Sequence, residues 1–125
     1  PQEIALIDAR KGIDMFLTDK VNVPVLGIVE NMSWFTPEEL PNNKYYIFGN
    51  GGGARLAEEL GLPLLGQIPL VQGVCEAGDE GTPVALGENT LLAEHFSDLA
   101  DRVAKQVALR NETLPETKKV IVSKH

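Results

Sequence analysis

The stretch Val25–Phe35, VLGIVENMSWF, decides how this chain is read. From Val23 to Val29 the residues are almost all apolar and rich in β-branched side chains, as in a strand covered on both faces. The run then turns polar at Glu30-Asn31-Met32-Ser33. In an open parallel sheet, ligands bind in the crevice beyond the carboxyl ends of the strands. A polar strand end is therefore the first place to look for function. Asn31 carries both a donor and an acceptor, the pair that reads the amino group and a ring nitrogen of adenine. Asn is equally a common turn former, and Ser33 can cap a turn. Both readings stand on the residues alone.

Outward from this strand, residues 2–19 place Leu6, Ala9, Ile13, Phe16 and Leu17 at helical spacing. Arg10 and Asp14, four apart, can pair on that helix. Pro1-Gln2-Glu3 reads as the first turn of a helix without its capping residue, so the chain is read as a piece of something longer. Residues 32–48 are loop-like, with Pro37, Pro41 and Asn42-Asn43, and Tyr45 to Phe48 read as a short strand. Asn50-Gly51-Gly52-Gly53 opens a helix whose apolar face is Leu56, Ala57 and Leu60, stopped at Gly61 and Pro63. A second buried strand follows at residues 64–68, then a loop or irregular turn over 70–82. Asn89 or Thr90 caps a last helix with Leu92, Phe96, Leu99, Val103 and Val107 on its inner face. Helix, strand, helix, strand, helix describes an α/β domain with a mostly parallel sheet and helices on both faces. Residues 1–109 form this unit, and 110–125 read as a tail, flexible or forming a short edge strand at Val120–Val122. Two strands are few for such a sheet. The isolated chain is expected to be marginally stable or to self-associate.

Composition narrows the function classes. The chain has 125 residues, 43% of them hydrophobic, with a formal charge of −7. Its eleven Lys and Arg are scattered, apart from a short basic tail at Lys118, Lys119, Lys124 and His125, which argues against nucleic acid as a partner. No apolar run approaches the roughly 20 residues of a membrane span. A single cysteine, Cys75, leaves no internal disulfide and fits a reducing cytoplasm.

The ordered motifs ARKGIDMF, VPVLGIVENMSWF, YIFGNGGGARLAEELGLPLLGQIPL and EAGDEGTPV resemble the carboxy-terminal half of the Mrp/ApbC family over roughly residues 1–105. These are cytosolic MinD/NifH-like P-loop ATPases implicated in iron–sulfur cluster carriage or assembly. The resemblance implies the carboxy-terminal portion of a P-loop NTPase fold, ATP and Mg²⁺ as cofactors of the parent, a homodimer, and iron–sulfur acceptor or scaffold proteins as partners. It assigns Asn31 and Pro69 to adenine contact. The family's phosphate-binding loop is absent: no Gly-Lys-Ser/Thr follows Gly51-Gly52-Gly53, so this chain is not expected to hydrolyse ATP alone. Where members often continue Ile-Pro-Leu with Asp, Val71 stands here. Many members also carry Cys-x-x-Cys after Asn-Met-Ser, and two subunits bridge a 4Fe–4S cluster with those four thiolates. The corresponding loop here, TPEELPNNKYY, holds no cysteine, which leaves Cys75 as a weak ligand candidate and otherwise a small, semi-buried side chain.

Other features take plainer readings. The three glycines allow a sharp turn or a close backbone approach, with an anion nest as the rival. Asp8, Arg10 and Lys11 read as a solvated helix face, with reach to a nucleotide or a partner subunit as the rival. Asp79 and Glu80 lack patterned partners for a metal, and His95 and His125 lack a neighbouring nucleophile. Trp34 and Phe35 pack, or meet a second subunit. The alternative to an ATPase part is a non-catalytic interaction module that docks through loop 34–48 and binds no cluster.

Overall fold

The structure, a computed structural model, describes residues 2–87 and 90–116, with only the backbone at Thr90. The element order is α1 (Glu3–Leu17), β1 (Ile28–Glu30), α2 (Gly52–Leu60), β2 (Leu64–Gln67), α3 (Gln72–Glu80), a short 3₁₀ turn (Val84–Leu86) and α4 (Thr90–Thr113). Strands β1 and β2 pair in parallel, with Ile28 opposite Leu64 and Glu30 opposite Gln67. This is the expected α/β arrangement.

Helices cover both faces of this pair. Paired residues of a parallel ladder point the same way and successive residues alternate. Glu30 and Gln67 therefore share a face, and Glu30 reaches Gly53 at the start of α2. Gly66 points to the opposite face, where Leu99 of α4 sits against it. Ile13, Leu56, Ala57, Leu65, Ile68 and Leu92 form the buried apolar core. Much apolar surface lies outside it, including Ile4, Met15, Phe16 and Leu17 on α1 and Val29 on β1.

Several local expectations are corrected. Only Ile28–Glu30 of the apolar run forms ladder, because β2 offers just four residues to pair with and the register shifts at Ile28/Val29. Residues 72–80 are helical rather than irregular. Gly81, at φ 71°, closes that helix by donating to Ala77 and Gly78, and Gln72 donates to Glu76 one turn on at 2.7 Å. Arg10 pairs not with Asp14 but with Glu59 of α2, across two helices. Residues 45–48 reduce to a single antiparallel bridge, Tyr45 to Phe35. Helix α4 runs beyond residue 109 to Thr113, and Val107 on its expected inner face is 40% exposed. Pro1, the Asn89 cap, the Val120–Val122 edge strand and the basic tail with His125 lie outside the described residues.

Candidate functional site

The end of β1 is a bulge. The Ile68 N–H donates to the Glu30 carbonyl, and the Ile68 carbonyl accepts from the Ser33 N–H, both at 2.9 Å. A regular parallel ladder spans two residues between those rungs; here it spans three. The extra residue pushes Asn31 and Met32 outward, with Met32 at φ 52°. Bulges of this kind sit preferentially beside functional sites, where they re-aim a side chain. Beyond the bulge pairing resumes, with Leu70 donating to the Trp34 carbonyl at 2.7 Å.

A buried carboxylate holds the bulge from inside. Glu30 is 3% exposed and Ser33 only 1%. The Ser33 hydroxyl donates to Glu30 Oε1, spanning the bulge. The Gly53 N–H donates to Glu30 Oε2 at 2.6 Å, and Gln67 Nε2 donates to Oε1 at 3.3 Å. Helix α2 has no side-chain cap of its own, so this carboxylate, 23 residues upstream, satisfies its first turn and complements its dipole. Glycine is required at 53 because a Cβ there would lie 2.9 Å from Glu30 Cβ. The triple glycine thus serves close approach, and the anion at this helix start is the protein's own.

Outside the bulge lies a cavity of about 420 Å³. Asn31 and Pro69, the two residues expected to contact adenine, both line it, together with Val71, Val74, Cys75 and Phe96. Pro69 is buried and Asn31 exposed. Asn31 Oδ1 accepts from the Met32 N–H at 2.9 Å, which fixes the amide's orientation, because only the oxygen can accept. That leaves one oxygen lone pair and the Nδ2 hydrogens open to a ligand in the cavity that Asn31 lines. Cys75 is exposed rather than semi-buried, with Sγ 4.0 Å from Asp79. Among the described residues, no group of three His, Cys, Asp or Glu could hold a metal ion.

A second cavity of about 490 Å³ shares Pro69 and Val71 with the first as lining residues. Its aromatic wall is Trp34, 9% exposed, packed edge-on to His95 with centroids 5.7 Å apart. The Lys44 ammonium sits 4.1 Å above the same indole, a cation–π contact. The loop's tryptophan is thus packed, as expected, and His95 has a structural partner. Glu30 was missed as an organising residue. The available signal was a helix start with glycines and no capping side chain.

Comparison with known proteins places these features in context. Residues 1–104 match the family model ParA, described as NUBPL iron-transfer P-loop NTPase. An iron-sulfur cluster carrier protein of Synechocystis is 43% identical over 110 residues, 87% of this chain and 31% of that protein. The Escherichia coli K12 iron-sulfur cluster carrier protein is 47% identical over 116 residues, 92% of this chain and 31% of its own length. An Arabidopsis thaliana iron-sulfur protein required for mitochondrial NADH dehydrogenase is 45% identical over 106 residues, 84% of this chain and 33% of that protein. The chain spans about a third of the length of these relatives.

Proposed function

Since this chain belongs to the NUBPL iron-transfer P-loop NTPase family, we propose that its strand-end cavity is the adenine side of a nucleotide site. The observation that carries this reading is the bulge at Asn31–Met32. It turns an orientation-locked amide toward a largely apolar cavity roofed by buried Pro69. Asn31 Oδ1 accepts from the adenine amino group and Nδ2 donates to a ring nitrogen. Apolar walls supplied by Pro69, Val71 and Phe96 cover the faces of the base.

The triphosphate and Mg²⁺ do not fit the described residues in the same way. The glycine-opened helix start that would suit a phosphate is filled by Glu30, and no Gly-Lys-Ser/Thr follows it. Phosphate and metal binding, and any hydrolysis, therefore belong to other parts of an ATP-binding parent. A cluster does not fit either. Cys75 is the chain's single cysteine, and an iron–sulfur cluster usually takes four thiolates. Iron–sulfur carriage is read as the task of the parent, a homodimer acting in the cytoplasm on iron–sulfur acceptor or scaffold proteins. This chain contributes base recognition and part of the dimer surface.

The loop offers a second reading. Leu40, Tyr46 and Ile47 are exposed, which suits docking of a protein through residues 34–48. Equilibrium titration of the chain with adenosine and guanosine separates the two. Base recognition predicts preference for adenosine and a loss of about tenfold in its affinity on Asn31→Ala, one hydrogen-bonding side chain's share. Equal binding of both nucleosides, unaffected by Asn31→Ala, would leave the docking module as the better account.

A further inference from the structure

The buried Glu30 carboxylate is not needed for contact with a base, yet it is the most heavily hydrogen-bonded side chain at the strand end. We propose that Glu30 is the positioning residue of the site: by closing the bulge it sets where the Asn31 amide stands and which of its ends faces the cavity. This rests on the adenine reading above and adds to it a determinant of base selectivity.

Asn31 and Met32 leave the ladder between two rungs that both end on Ile68. The backbone alone would let the extra residue migrate along the strand. Two contacts pin it. Ser33 donates across the bulge to Glu30, so the residues on either side are tied by their side chains as well as by Ile68. Glu30 is itself tied to α2 through the Gly53 N–H and to β2 through Gln67. The bulge is thereby referenced to two rigid elements. With the Asn31–Met32 peptide held in the pinned bulge, the Met32 N–H meets Asn31 Oδ1 and locks the amide. A locked amide presents an acceptor to a 6-amino group and a donor to an unprotonated ring nitrogen. Inosine offers the reverse pair, a 6-oxo acceptor and a ring N–H. It is bound equally well only if the amide can turn over, and turning over forfeits the Met32 bond. The ratio of adenosine to inosine affinity therefore reads the lock, and a purely structural role for Glu30 would not move it.

The experiment is an equilibrium titration of the 125-residue chain with adenosine and with inosine, for wild type, Asn31→Ala, Ser33→Ala and Glu30→Ala. Circular dichroism and a cooperative melt establish that each variant is folded. Ser33→Ala is the mild variant, since it cuts the bond across the bulge and leaves Glu30 its partners on α2 and β2. Wild type is expected to prefer adenosine by about tenfold. Ser33→Ala is expected to lose most of that preference, and Glu30→Ala all of it. Combining Glu30→Ala with Asn31→Ala is expected to cost no more preference than Asn31→Ala alone, since coupled residues are non-additive. A folded Ser33→Ala that keeps the wild-type ratio within about twofold, while Asn31→Ala abolishes it, overturns the positioning role and leaves the adenine reading intact. A wild-type chain that binds neither nucleoside saturably overturns both.

Discussion

Replacing Glu30 by alanine tests the strand-end network through stability, independently of any ligand. Two of its three donors, the Ser33 hydroxyl and the Gly53 N–H, are buried and would lose their acceptor. Each buried donor left unpaired costs about 1–3 kcal/mol. Removing a negative charge from the first turn of α2 adds roughly 0.3–1 kcal/mol. Gln67 is half-buried and can turn to solvent, so its 3.3 Å bond adds little. Against these stands the desolvation the carboxylate no longer suffers, together with space for a water to reach the stranded donors. The net expectation is a loss of about 3 kcal/mol, a large part of the roughly 5–15 kcal/mol of an ordinary domain. At the usual unfolding entropy per residue this lowers the melting temperature by about 11 °C. Far-UV circular dichroism melts and urea titrations of the two proteins measure it. A melting temperature within about 2 °C of wild type would refute the reasoning, because desolvation would then cancel every bond the carboxylate makes.

The glycines give a paired comparison. A Cβ at Gly27 would lie 2.7 Å from the Pro63 carbonyl, which is backbone and cannot yield, whereas one at Gly66 would meet only the Leu99 side chain at 3.2 Å. Urea unfolding should show Gly27→Ala losing about 2–3 kcal/mol and Gly66→Ala under about 1 kcal/mol. Cys75 is exposed and lines the proposed base cavity, so iodoacetamide should label one thiol per native chain, more slowly with saturating adenosine; an unchanged rate counts against the cavity. Anaerobic reconstitution with iron and sulfide should leave the desalted chain colourless, and retained iron–sulfur absorbance would overturn the reading that it lacks a cluster site.

The strand end and the helix after it were legible in the sequence for physical reasons. A β-branched run ending in polar residues reads as a strand reaching the end of a sheet, although only Ile28–Glu30 of it pairs and Val29 stays exposed, and Gly61 and Pro63 mark the end of α2 with little ambiguity. Helix α3 was not legible. Its nine residues include two glycines and only a short apolar pair, Val74 and Ala77, and it is closed by Gly81 at φ 71°. The Arg10–Glu59 pair was equally hidden, because it joins two helices 49 positions apart while Asp14 offers a plausible local partner. Asn31 and Pro69 are assigned to the site by motif resemblance, and both line one cavity. Glu30 was overlooked for a related reason. A charged residue at a strand end is ordinarily solvated, and only the fold shows that Gly53 and Ser33 turn this one inward.

The most direct test of the central claim is to map adenosine on the isotope-labelled chain by amide and side-chain chemical shifts. The account predicts saturable shifts at the Asn31 side-chain amide, Met32, Leu70, Val71 and Cys75, the residues on and around the strand-end cavity. It predicts none at Arg10 and Glu59 in the groove between α1 and α2. Shifts confined to that groove or to loop 34–48, with Asn31 unmoved, would contradict it.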